Sequence, residues 1–99
     1  MKYIKAISSY DNPQIGDYVI CNDLSNVVVK EFISNSIGKN VKKRDISTFE
    51  YFIQYKNIPE DIKKFFTKNC REMDRNEILY WSKSKEDCEI YLDAKKYNL

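Results

Sequence analysis

The side chains that could carry chemistry are few. Three cysteines, Cys21, Cys70 and Cys88, form no C-x-x-C pair, and the chain has no histidine. A structural zinc site draws four ligands mainly from cysteine and histidine, so the set stops one short and no metal is expected. Without imidazole the usual general base at neutral pH is missing, and neither a Gly-rich phosphate loop nor a G-x-S-x-G elbow occurs. Two acid pairs remain, Glu60-Asp61 and Glu86-Asp87. Both fall where helices are predicted to start, and carboxylates there favour the helix dipole without any catalytic duty. Of the thiols, Cys70, between Lys68 and Arg71 in the chain, is the one most open to activation. The plain reading is of reduced thiols in a reducing compartment. No enzyme and no cofactor are expected.

Binding is the remaining class, and two sets of residues fit it. The net charge of the 99 residues is +2, yet residues 39–71 hold nine basic and four acidic side chains. Lys39, Lys42, Lys43 and Arg44, with Lys63, Lys64 and Lys68 further on, could follow a row of phosphates. Tyr51 and Tyr55 alternate along FEYFIQY and would stack on bases if they face outward, or fill the core if they face inward. The second set is Trp81, Ile90, Tyr91, Ala94 and Tyr97, part of an aromatic content of 14 %. It would bind another protein, or a second copy of this chain, since a homodimer would use the same surface. A protein partner is the leading expectation, and nucleic acid is the alternative.

The elements that must position these groups follow from periodicity. A first strand is expected over Asp17 to Asn22, with apolar residues on both faces, then turn chemistry at Asp23-Leu24-Ser25-Asn26. The β-branched run Val27 to Ile33 predicts a second strand, and Lys39 to Arg44 a polar edge strand with Val41 pointing inward. A turn at Asp45 to Thr48 leads into a fourth strand, Phe49 to Tyr55. Ile58-Pro59 ends it, and Pro59-Glu60-Asp61 opens a short helix burying Ile62, Phe65 and Phe66. Cys70 to Asn76 is charged and turn-like, Glu77 to Ser82 predicts a fifth strand, and Ser84 opens a helix of about 84–96. On that helix Cys88, Tyr91 and Leu92 form one stripe, and Ile90, Ala94 and Tyr97 a second. Tyr3 to Ile7 fits a strand or a helix.

Four strands, a short helix, a fifth strand and a terminal helix resemble an SH3-like small β-barrel. Gly16-Asp17-Tyr18-Val19-Ile20 resembles the opening strand of its KOW- and Tudor-type members, and Ile37-Gly38-Lys39-Asn40-Val41 their second element. The resemblance implies an α+β chain, residues 1–99 as one domain with the barrel over about 16–82. The glycines of a KOW loop after the first strand are absent, so no ligand-binding residue carries over. No run approaches the ~20 apolar residues of a membrane span, and MKYIKAISSYD has no signal-peptide core, so a cytoplasmic protein is expected. Lysine, isoleucine, asparagine and tyrosine dominate, residues with AT-rich codons. With the small size, this points to a phage or mobile-element accessory protein, an inhibitor of a host system of the anti-CRISPR kind.

Overall fold

The computed structural model describes residues 12–43 and 51–97. The expectations for Tyr3 to Ile7, Arg44, the turn Asp45 to Thr48, Phe49 and Glu50 lie outside the described residues. Within them the chain is α+β, with one antiparallel sheet of five strands in the order β4-β3-β2-β1-β5 and a C-terminal helix.

Gly16, at φ +97, makes the turn into β1 (Tyr18–Cys21) and donates its N–H to the Asn40 carbonyl at 2.7 Å. Val19 and Cys21 enter the main core, while Ile20 on the other face packs with Tyr80 and Cys88. Asp23 then folds the chain back on itself. One of its carboxylate oxygens accepts from the Ser25 N–H at 2.9 Å, the Ser25 hydroxyl at 3.0 Å and the Asn26 N–H at 3.0 Å.

The expected second strand, Val27 to Ile33, is a helix, α1 (Val27–Ser34). Asn26 caps it by accepting the Val28 N–H at 2.8 Å, and Val29, Phe32 and Ile33 meet the core at i, i+3 and i+4. β-Branched residues cost a helix only a few tenths of a kcal/mol each, less than the cap and the buried stripe return. α1 ends where the Asn35 side-chain amide and the Ser36 hydroxyl donate to the Glu31 and Phe32 carbonyls.

β2 (Gly38–Lys43) is not the expected edge, since it pairs with both β1 and β3. Its polar sequence reflects one outward face and an inward face built from Gly38 and a buried Asn40. Val41, expected inward, is exposed at a bulge between Asn40 and Lys42. In β3 (Tyr51–Gln54), Tyr51 and Ile53 point into the core, followed by Tyr55. A 3-10 turn, Glu60–Phe65, buries Ile62, and Phe66 meets Tyr55 and Phe32 edge-on with ring centroids 6.0 and 6.1 Å apart. Phe65 and Phe66, expected in the core, are half-buried against it.

Cys70 to Asn76, expected as a turn, contains β4 (Cys70–Met73). Lys68 and Asn69, both at positive φ, form the two-residue turn before it, closed by reciprocal Thr67 and Cys70 backbone hydrogen bonds of 2.9 Å. A one-turn 3-10 segment, Arg75–Glu77, then leads to β5 (Ile78–Ser82), and α2 (Lys85–Lys96) packs Cys88, Tyr91 and Leu92 against β1 and β5. β4 and β5 thus lie at opposite edges although only Asp74–Glu77 joins them. Laid flat, four strand spacings of ~4.8 Å span ~19 Å. Five extended residue steps reach at most ~18 Å, and the 3-10 turn shortens them. The sheet must therefore curl around its core, yet no pairing between β4 and β5 closes it into a barrel among the described residues.

Candidate functional site

Cross-strand pairing arranges the outward face of the sheet in rows. Tyr18 opposes Lys39 and Lys39 opposes Gln54, and Gln54 in turn opposes Cys70. One row on, Lys42 opposes Phe52 and Phe52 opposes Glu72. Directly opposed residues share a face. The curl gives the two rows different surroundings.

Tyr18, Lys39 and Gln54 of the first row form the floor of a cleft of about 510 Å³, while Cys70 lines a second groove. α2 walls it with Lys85 and Leu92, seven positions apart on one helical face, and the turn after β3 contributes Lys56 and Asn57. Asn57 holds a left-handed φ of 58, which asparagine tolerates better than most residues. Tyr18 is half-buried, and the Lys39 ammonium lies 5.7 Å from its ring centroid. Lys39, Lys56 and Lys85 are exposed, and no carboxylate lines the cleft among the described residues. The carboxamides of Asn35, Gln54 and Asn57 complete a lining that offers both hydrogen-bond donors and acceptors.

The second row opens onto a groove of about 700 Å³ between Phe52 and Phe65, flanked by Lys42 and Lys68. The Lys42 ammonium sits 5.4 Å from the Phe52 centroid and that of Lys64 5.6 Å from Phe65. Glu72 enters this groove, and the Arg71 guanidinium at its edge is committed elsewhere. It bonds the Asp23 carboxylate and donates to the Phe65 carbonyl at 2.9 Å. Burial alone would raise the Asp23 carboxyl, but Arg71 and the Ser25 donors outweigh it and hold the group below its ordinary value.

The expected nucleic-acid residues are therefore divided. Lys42 and Lys68 line one groove with Lys64 at its edge, Lys39 lines the other, and Lys63 is exposed on the 3-10 turn. Lys43 is half-buried and engaged within the fold. Tyr51 and Tyr55, at 0 % and 1 % exposure, fill the core and offer no ring to a base. The rings that do reach the outer face are Tyr18 and Phe52. Parity along the strand is the signal for this, because Phe52 alternates with Tyr51 and Ile53.

The expected protein-binding residues divide as well. Trp81 is buried, with the Arg75 guanidinium 4.3 Å above its ring, and Tyr91 stacks on Tyr80 at 4.8 Å. Both belong to the packing of the fold. Ile90, half-buried Ala94 and Tyr97 do form an outward stripe on α2, with Ile90 at 45 % and Tyr97 at 64 % exposure. A second apolar patch, missed in the sequence because α1 reads as a strand, consists of Leu24 at 58 %, Val27 at 83 % and Val28 at 58 %.

Cys21 and Cys88 are buried and Cys70 is half-buried. Burial pushes Cys21 and Cys88 up to about 12 and also raises Cys70. Cys70, the thiol most open to activation in the sequence, is raised by its burial, and no basic neighbour offsets this. Among the described residues no three cysteine, aspartate or glutamate side chains gather as a metal site, and no helix is long and apolar enough to cross a membrane. No family model matches the chain, and no curated protein or solved structure is significantly similar to it.

Proposed function

We propose that this chain is a non-catalytic binding module that acts by occupying a surface on another protein, as a phage-encoded inhibitor of a host system would. The observation that carries this reading is the exposure of Leu24, Val27 and Val28 around the first turn of α1. Valine is a mediocre helix former, and an outward valine returns no burial for its lost rotamer freedom. Val27 and Val28, with exposed Leu24 just before the helix, gain that burial when a partner covers them. The stripe Ile90, Ala94 and Tyr97 provides a second, separate contact.

The strand order β4-β3-β2-β1-β5, with only a helical turn between β4 and β5, supports an SH3-like layout in which α1 fills the loop after the first strand. Three unpaired thiols fit a reducing cytoplasm.

Val27→Asp with Val28→Asp is the direct test. Aspartate in the first turn of a helix is favourable to its dipole, so the fold is kept while the patch is charged. A host protein retained by the immobilised wild-type chain and released by the double variant supports the reading. An identical set of bound proteins for both chains removes the patch from it. Concentration-dependent sedimentation that disappears in the variant reassigns the patch to self-association.

A further inference from the structure

We propose that the cleft between α2 and the Tyr18–Lys39–Gln54 row binds a nucleotide unit, with phosphate on the lysines and base on Tyr18. Three features select this ligand class. The first is charge: Lys39, Lys56 and Lys85 reach one cleft from three different elements, and none has an acidic partner among the described residues. Three lysines lining one cleft, with no carboxylate among its described lining residues, repel one another and are relieved by a polyanion. The contrast with Lys83, which bonds the buried Asp17 carboxylate at 2.9 Å, shows that the fold neutralises lysine where it needs to.

The second feature is the ring. Tyr18 is only half-buried and lies in the floor with the Lys39 ammonium over its ring, an aromatic face and a cation that a base stacks on once the flexible lysine swings to the phosphate. The third is the carboxamides. Gln54 and Asn57 each present a donor and an acceptor, which pair with the edge of a base and find no such match on a bare polyphosphate. A volume of about 510 Å³ is in the range of small-ligand sites and accommodates one nucleotide, not a folded duplex.

This site is distinct from the apolar patches and stands whether or not they bind protein. It also differs from the basic set expected from the sequence, sharing only Lys39 with it.

The full chain is titrated with AMP, ATP, inorganic triphosphate and a ten-nucleotide single-stranded DNA, following binding by calorimetry and by amide NMR shifts around Tyr18. The expected result is binding of ATP and of the oligonucleotide, with a log–log salt slope of about −2 for three phosphates on a single strand. Lys56→Glu with Lys85→Glu is expected to weaken both at least tenfold. Both lysines are exposed and have no ion-pair partner among the described residues, so folding is unaffected, and Lys63→Glu with Lys64→Glu serves as a control that stays within about twofold. Binding of AMP and ATP identifies a free nucleotide as the source, and binding of the oligonucleotide alone identifies a single strand. Triphosphate competing as well as ATP overturns recognition of the base. No binding by any probe, or equal binding by the Lys56/Lys85 variant, overturns the site.

Discussion

Replacing Arg71 by methionine keeps most of the side chain's length and removes the cation that the Asp23 carboxylate bonds. The Asp23 side chain is 1 % exposed and that of Arg71 15 %, so water replaces little of what is lost. Breaking a buried ion pair from one side costs about 3–5 kcal/mol because the remaining charge is stranded. Asp23 keeps its three donors from Ser25 and Asn26 on one oxygen, which places the expected cost near the lower end. The Phe65 carbonyl also loses its donor, for about 1 kcal/mol, partly recovered from water because Phe65 is half-buried. A total of about 3–4 kcal/mol lowers Tm by roughly 12–30 °C in a domain of this size. Asp23→Asn keeps the local acceptor and should cost less, and the double variant less than the sum of the two.

The pH dependence has a definite sign. The folded carboxyl lies below its ordinary 3.8. Its contribution is therefore full above that value and is lost as the pH falls through 3.8 and below. In Arg71→Met the carboxyl rises and acid unfolding begins at higher pH. Urea melts of the four proteins between pH 3 and 7 measure both effects. A cost under about 1 kcal/mol for Arg71→Met at pH 7, or additive single variants, would refute the assignment of this pair as a clasp between the Asp23 loop and β4.

Three further outcomes are expected. Gly38→Ala places a Cβ against the Ile53 side chain and 2.9 Å from the Tyr55 ring, so overpacking should cost about 1–3 kcal/mol in a thermal melt. Tyr55→Phe should be neutral, or stabilising by up to about 1 kcal/mol, because the buried hydroxyl has no nitrogen or oxygen partner among the described residues; a loss above about 1 kcal/mol would show that the neighbouring Cys21 thiol is a real partner. Cys21 and Cys88 should resist a thiol reagent in the native protein while half-buried Cys70 reacts, and since their folded values near 12 exceed the ordinary 9.0, stability should be lost as the pH rises from 9 towards 12.

The sheet's outline was legible where residues alternate cleanly. Tyr51 and Ile53 against Phe52 and Gln54, and the two apolar faces of Tyr18 to Cys21, place β3 and β1 correctly. Two elements were misread for opposite reasons. In α1 a β-branched run conceals a helix whose decisive signals are a cap at Asn26 and the spacing of Val29, Phe32 and Ile33. In β4 charge conceals a strand, because Arg71 is neutralised by Asp23, a residue far away in the chain. The cleft was illegible for the same reason. Tyr18, Lys39, Lys56 and Lys85 are scattered along the sequence, and only strand register and the docking of α2 bring them together.

The position of β1 in the sheet also fixes an order of events during synthesis. β1 finds β2 soon after both are made, but its other neighbour is the last of the five described strands, so Val19 waits for Trp81. Until then one edge of the strand has unpaired backbone, and Ile20 lacks the cover of Tyr80 and Cys88. β5 and α2 then arrive as a joined pair, with Tyr80 stacked on Tyr91, and seal edge and face in one step. A nascent chain halted after β4 is thus an aggregation-prone intermediate, relieved when β5 and α2 dock together.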